Sequence, residues 1–303
     1  MSEHRFDGRV AVVTGAGRGI GRGYATLLAM RGAKVVVNDL GGSRSGVGAD
    51  VGPARSVVDE IVAAGGVAIA DTNDVSTESG ASAIIDAAVS EFGRIDIVVN
   101  NAGIIRWADL PVADLAGLQS TLDVHLIGSF NVSRAAWPHM VEQKYGRIVM
   151  TTSTGMLGLP GNLAYAAAKA GLIGLARNMR LSGAEHGIIT NLIAPVAYTR
   201  MGGASSADPS AADTPPLMAP SMVAPLVAYL CHEDCPVSGE IYVAGGGRFS
   251  RLFIASTHGY VQTDRDPTPE DIAEHWAAIN DETGYSVPMD LPAWAAEHLR
   301  HMT

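Results

Sequence analysis

The chain has 303 residues, with 21 Lys and Arg against 31 Asp and Glu and a formal net charge of −10. That balance excludes the clustered cations on which nucleic-acid affinity rests, so no nucleic-acid partner is expected. At 47% hydrophobic and 17% charged residues the chain is too apolar for a disordered protein, yet it lacks the run of roughly 18 apolar residues that crosses a bilayer, so no membrane partner is expected.

The opening residues MSEHRFDGR contain no apolar core of a secretory signal, and a cytoplasmic location is expected. From there, short β-branched runs alternate with longer Ala-rich segments of helical spacing. In chain order, strands at residues 10–14, 34–39 and 67–71 are each followed by a helix, at 19–31, 53–64 and 77–92. A strand at 95–100 precedes one long helix at 112–140, and a strand at 147–152 precedes a helix at 162–186. Strands at 188–194 and 241–244 flank a helix at 221–231. The strands lack strict alternation, as strands covered on both faces do. The pattern predicts a doubly wound α/β fold with a parallel, seven-stranded sheet and helices on both faces.

Two segments depart from this rhythm. Residues 202–220 are crowded with Ala, Ser, Gly, Pro and Asp and read as a substrate lid. Beyond Gly247, Thr268-Pro269-Glu270-Asp271 has the form of a helix start, with an N-cap, a proline at the first helical position and an acidic third residue. The partition expected is a single domain at 1–247 with a helical extension, 248–303, packed on it. Cys231 and Cys235, with only His232 between them and no second pair, read as structural thiols, and no metal is expected.

Gly15, Gly19 and Gly21, with Arg18 and Ile20 between them, lie between the first strand and the first helix. Such glycines bring bare backbone N–H groups and a helix N-terminus against a pyrophosphate. Asp39 closes the second strand, where a carboxylate bonds a ribose diol and repels a 2′-phosphate. Arg18 pulls toward that phosphate, but the fixed anion outweighs a mobile cation, which favours NAD over NADP. Farther on, Tyr165 and Lys169 stand four apart and project from one helical face. A tyrosine pKa near 10 is too high for proton transfer at neutrality, and a neighbouring ammonium favours its phenolate. The hydroxyl run from Thr151 to Thr154 ends the preceding strand, within reach of a carbonyl oxygen.

Taken in order, Gly15-x-x-x-Gly19-x-Gly21, Asn100-Asn101-Ala102-Gly103, the hydroxyl run, Tyr165-x-x-x-Lys169 and Ala194-Pro195 resemble the short-chain dehydrogenase/reductase family over about residues 6–247. The resemblance implies a Rossmann-type fold, with Tyr165 as general acid/base, Lys169 on the nicotinamide ribose and a serine orienting the substrate carbonyl. It implies Asp74 and Val75 near adenine, Asn100, Asn101, Ala102 and Gly103 along the cofactor, and Pro195, Val196 and Thr199 by the nicotinamide. Counting back from the tyrosine puts the serine position at Thr152, whereas counting forward from Gly146-Arg147-Ile148 puts it at Ser153. Ser153 is preferred, and Thr152 stays open.

Further segments are similar to a narrower branch, the (3R)-hydroxyacyl-CoA dehydrogenase module of peroxisomal multifunctional enzymes type 2, without their other domains. They are Arg5–Val10, residues 36–42, Gly46-Val47-Gly48, residues 92–96 and residues 223–233. His125, three residues before Gly128, stands where most of the family has an asparagine that helps hold a relay water, and it fits this branch. The implied reaction is (3R)-3-hydroxyacyl-CoA to 3-oxoacyl-CoA with NAD in a homodimer or homotetramer. A steroid or other secondary-alcohol dehydrogenase is the alternative, and a non-catalytic NAD-binding protein is the alternative from another class. Arg200, Arg248 and Arg251 are candidates for the CoA phosphates.

Overall fold

The structure, a computed structural model, describes residues 3–199, 201 and 215–302. Its sheet has eight strands: β1 Val10–Thr14, β2 Lys34–Asn38, β3 Val67–Asp71, β4 Ile97–Asn100, β5 Gly146–Thr151, β6 Ile188–Val196, β7 Ile241–Gly245 and β8 Arg248–Leu252. Their order is β3-β2-β1-β4-β5-β6-β7-β8, and β1 to β7 pair in parallel. The eighth strand exceeds the seven expected. It follows β7 through Gly246-Gly247, too short a link for anything but a hairpin, and its largely exposed residues carry no apolar run that marks a strand.

The helices are α1 Gly19–Met30, α2 Gly52–Ala63, α3 Glu78–Phe92, α4 Leu115–Leu122, α5 Gly128–Gln143, α6 Leu163–Gly183 and α7 Ala224–Cys231. Residues of α1, α2 and α7 share one apolar cluster with Ala11, Val13, Val35, Val37, Ile97 and Val99 of the sheet. The intervening Val12, Val36 and Val98 are fully buried too, and the period of two places them on the opposite face. There α3 packs on α5, and α4 on α6. This double burial is why the strands read as continuous apolar runs.

The expected helix over 112–140 is broken. Between α4 and α5 the backbone forms a π-turn, Asp123–Ile127, whose extra residue per turn rotates the chain locally. His125 lies in that turn and is buried. Gly128, directly after it, passes so close to Val75 that a Cβ there would lie 2.9 Å from a Val75 methyl.

The chain divides into two compact units, Met1–Arg251 and Leu252–Thr303. Within the second, Thr268 caps α8 Pro269–Glu274 by accepting from the Asp271 N–H at 3.3 Å, while the Asp271 carboxylate accepts from the Thr268 N–H at 2.8 Å. This is the helix start foreseen in the sequence. Two Arg265 bonds and the Thr268 donors hold the Asp271 carboxyl far below its ordinary pKa. Two further helices follow, α9 Trp276–Ile279 and α10 Leu291–His298. Among the described residues no helix is long and apolar enough to cross a membrane.

Candidate active site

The strand order reverses between β1 and β4, and a cleft of about 650 Å³ opens there beyond the carboxyl ends of the strands. Gly15, Arg18, Gly19 and Ile20 line one arm with Asp39, Asp74, Val75, Asn101, Ala102 and Gly103. The glycine loop and the β4 loop are tied together. Thr14 Oγ1 accepts from the N–H groups of Asn101 and Ala102, both at 3.0 Å, and Asn101 Nδ2 donates to the Thr14 and Gly15 carbonyls, also at 3.0 Å. A Cβ on Gly21 would lie 2.3 Å from the Gly15 oxygen and 2.5 Å from Asn101 Nδ2, so only glycine lets α1 start this close to the loop.

No side chain caps α1, which leaves its first-turn N–H groups available to a ligand anion. Asp39 borders the same arm. Its Oδ2 accepts from the Gly17 N–H at 2.8 Å and its Oδ1 from the Gly41 N–H at 2.7 Å, which fixes the anion at the strand end. An uncapped helix start, a glycine cradle and a fixed carboxylate form a donor set that suits a dinucleotide.

The other arm carries Tyr165, Lys169, Ser153 and His125. Lys169 is 3% exposed, its Nζ donates to the Thr151 carbonyl, and it lies 5.4 Å from the centre of the Tyr165 ring. Burial lowers its pKa from 10.5 to about 7. Burial also raises the Tyr165 hydroxyl above its ordinary pKa of 10.0, while hydrogen bonding from Ser153 pulls it down. The lowering expected from Lys169 is not among these effects: burial of both groups works against it, and the Ser153 bond supplies the downward pull.

His125 meets Tyr165 edge-on, with ring centres 5.2 Å apart. Its Nε2 accepts from the Ile104 N–H at 3.1 Å and lies 2.7 Å from the Ile104 carbonyl oxygen. Burial, then the charge of Lys169, holds its pKa well below 6.5, so the ring is neutral. A Cβ on Gly103 would lie 2.4 Å from His125 Cε1, so the glycine after Ala102 is needed to seat this ring.

The structure separates the two hydroxyls that residue counting could not. Thr152 is wholly buried and donates to the Lys169 carbonyl at 2.7 Å, bracing α6. Ser153 faces the cleft and accepts from the Gly155 N–H at 3.0 Å. Asn100 is turned away, its Nδ2 donating to Ser133 Oγ at 2.9 Å. Pro195 and Thr199 border the cleft, where Ala197 and Tyr198, rather than Val196, complete the wall.

The phosphate candidates fare differently. Arg200 and residues 202–214, most of the expected lid, lie outside the described residues. Arg251 pairs with Glu240 at 2.8 Å, and neither it nor Arg248 borders the cleft. Arg106, beside Trp107, does border it, as does Asn162; sequence reasoning passed over all three. Among the described residues His4, His232 and Asp234 form a ligand-like cluster, but His232 Nδ1 already accepts from the Asp234 N–H at 3.2 Å and Nε2 meets the Arg5 carbonyl at 3.2 Å. Cys231 and Cys235 are free, buried thiols.

The short chain dehydrogenase family model matches residues 9–209. The chain belongs to that family. Family members bind nicotinamide dinucleotides, in keeping with the glycine arm. A putative short-chain type dehydrogenase/reductase of Mycobacterium tuberculosis is 45% identical over 280 residues, 92% of this chain and 96% of that protein. The peroxisomal multifunctional enzyme type 2 of Drosophila melanogaster is 46% identical over 281 residues, 91% of this chain and 46% of that enzyme. Its full-length structure matches with a TM-score of 0.79 at 36% identity, covering 98% of this chain and 50% of that one. The chain thus spans about half the length of that relative. A 7α-hydroxysteroid dehydrogenase solved with NADH and 7-oxo glycochenodeoxycholic acid matches with a TM-score of 0.70 at 32% identity, over 80% of this chain and 95% of that one.

Proposed function

We propose that this short-chain dehydrogenase interconverts (3R)-3-hydroxyacyl-CoA and 3-oxoacyl-CoA with NAD. The observation that carries the catalytic part is the position of Tyr165, in the cleft between Ser153 and a buried Lys169. Bound in the glycine arm, a nicotinamide dinucleotide supplies the hydride acceptor and donor. In the oxidative direction Tyr165 takes the hydroxyl proton, Ser153 holds the same oxygen, and Lys169 lowers the cost of the phenolate while protonated. Asp39 favours NAD because its fixed carboxylate bonds a ribose diol and repels a 2′-phosphate.

The thioester reading draws on the resemblance to the multifunctional branch and on Arg106, a cation at the cleft for an anionic ligand. The likeness to the hydroxysteroid dehydrogenase supports steroid alcohols as a second reading. A non-catalytic dinucleotide binder is disfavoured, since it has no use for Ser153, Tyr165 and Lys169 assembled at one place. We keep a cytoplasmic location and a homodimer or homotetramer within this proposal; Leu115 and Phe130, 76% and 42% exposed, offer apolar surface to a second copy.

The geometry is tested by paired substitutions. Ser153→Ala is expected to lower kcat on the order of 100-fold, as loss of an oxygen-holding donor does. Thr152→Val is expected to leave kcat close to wild type and to cost about 1 kcal/mol of stability, read as a lower melting temperature, because it breaks the bond to the Lys169 carbonyl. The reverse pattern would give the substrate role to Thr152.

A further inference from the structure

Asn162 stands at the N-cap of α6, three residues before Tyr165, and both line the cleft. Asparagine is among the most favoured N-caps because its side-chain oxygen can accept a first-turn N–H. Here that bond is not made. The residue is 2% exposed and Oδ1 is buried with no hydrogen-bond partner. A buried acceptor left unpaired destabilises the fold, and this one stands three residues before the reacting group. The backbone of Asn162 is held from both sides, bridging to Ala108 and donating to the Leu159 carbonyl at 3.2 Å. The backbone is thus held at the cleft wall while the side-chain oxygen lacks a donor.

We propose that Asn162 is a specificity-determining residue whose Oδ1 accepts the amide N–H of the substrate's thioester arm. This rests on the acyl-CoA reading above. In a 3-hydroxyacyl thioester of the CoA type, the carbon that reacts at Tyr165 is joined through the α-carbon, the thioester and two methylenes to an amide. Three residues of helix rise about 4.5 Å along α6, within reach of the chain of bonds between that carbon and the amide nitrogen. The substrate then supplies the donor that the folded chain does not. A simple secondary alcohol or a steroid has no N–H at that distance, so the contact selects for the arm rather than for the reacting carbon.

Two truncated substrates test this: the 3-hydroxyacyl thioester of N-acetylcysteamine, which keeps the amide N–H, and its 2-acetoxyethyl analogue, in which oxygen replaces the N–H. The wild type is expected to favour the amide about tenfold in kcat/KM, mostly through KM, the size of one hydrogen bond. Asn162→Ala is expected to abolish that preference, and Asn162→Asp, which keeps the acceptor, to retain it. Because the ratio is taken within one preparation, partial misfolding cancels. An unchanged ratio in Asn162→Ala, with the wild type active on both thioesters, overturns the Asn162 assignment alone. A wild type inactive on both, yet oxidising steroid or simple secondary alcohols, overturns the acyl-CoA reading beneath it.

Discussion

Tyr165→Phe is expected to lose turnover by on the order of 100- to 10,000-fold, the usual contribution of a positioned acid/base group. Cofactor affinity is expected to stay near wild type. The substitution keeps the ring that stands edge-on to His125 and removes only the hydroxyl, so the packing around Lys169 persists. Burial holds the phenol above its ordinary pKa and hydrogen bonding with Ser153 pulls it down, while a protonated Lys169 beside the ring favours the phenolate. Steady-state rates and cofactor titration by fluorescence check both halves. A variant with more than a tenth of the wild-type rate would remove Tyr165 from the chemistry.

Lys169→Met is expected to show the second large effect, and it separates function from stability. Turnover is expected to fall on the order of 100-fold or more, because the methionine fills the space but carries no charge for the phenolate and no donor for the Thr151 carbonyl. Stability should change in the opposite sense. The folded pKa of Lys169 is about 7 against an ordinary value of 10.5, so between these values the unfolded chain holds a proton that the folded one has released. Stability therefore rises with pH across that window, and below it the full penalty of burying the ammonium applies. At 1.36 kcal/mol per unit of pKa shift, the penalty amounts to a few kcal/mol.

Lys169→Met should then melt higher than wild type at pH 6, with the gap closing as pH rises toward 10. His125 acts in a different range. Its folded pKa is depressed below 6.5, so its destabilising contribution grows only as pH falls through the unfolded value; Lys169→Met keeps the part due to burial and removes the part due to the Lys169 charge, which widens the gap at low pH. Melting temperatures of the two proteins across pH check this, and a gap independent of pH would contradict the burial of a titrating ammonium.

Much of this architecture is legible in the sequence because the strands are covered on both faces. Val10–Thr14 and Val67–Asp71 are fixed at both ends by apolar runs stopping at polar residues, and Thr268 announces α8 through its cap chemistry. The π-turn is not legible. Nothing in the period of residues 112–140 shows that one residue is inserted between α4 and α5, and the residues that approach the turn come from other elements: Gly103 beside His125, and Val75 beside Gly128. Strand β8 escapes because its side chains are exposed, leaving only the Gly246-Gly247 turn as a signal.

At the site, the glycine loop, Tyr165 and Lys169 carry spacing signals, whereas the choice between Thr152 and Ser153 depends on which hydroxyl the end of β5 turns toward α6. Asn162 was passed over because asparagine before a helix reads as an ordinary cap. Only the structure shows that the capping bond is not made. Arg248 and Arg251 are plausible cations by proximity in sequence to the last strands, yet Glu240 pairs with Arg251, and it is Arg106 from the β4 loop that borders the cleft.

The central claim is tested most directly by the initial rates of the wild-type protein with (3R)- and (3S)-3-hydroxyacyl-CoA, a hydroxysteroid and a simple secondary alcohol. Each is assayed with NAD and with NADP by the absorbance of the reduced nicotinamide. The account predicts the highest kcat/KM for the (3R) thioester with NAD, and a lower value with NADP because of the carboxylate at Asp39. Preference for the steroid over either thioester, or for the (3S) ester, would contradict the substrate assignment, and no oxidation of any alcohol with either cofactor would contradict the dehydrogenase chemistry itself.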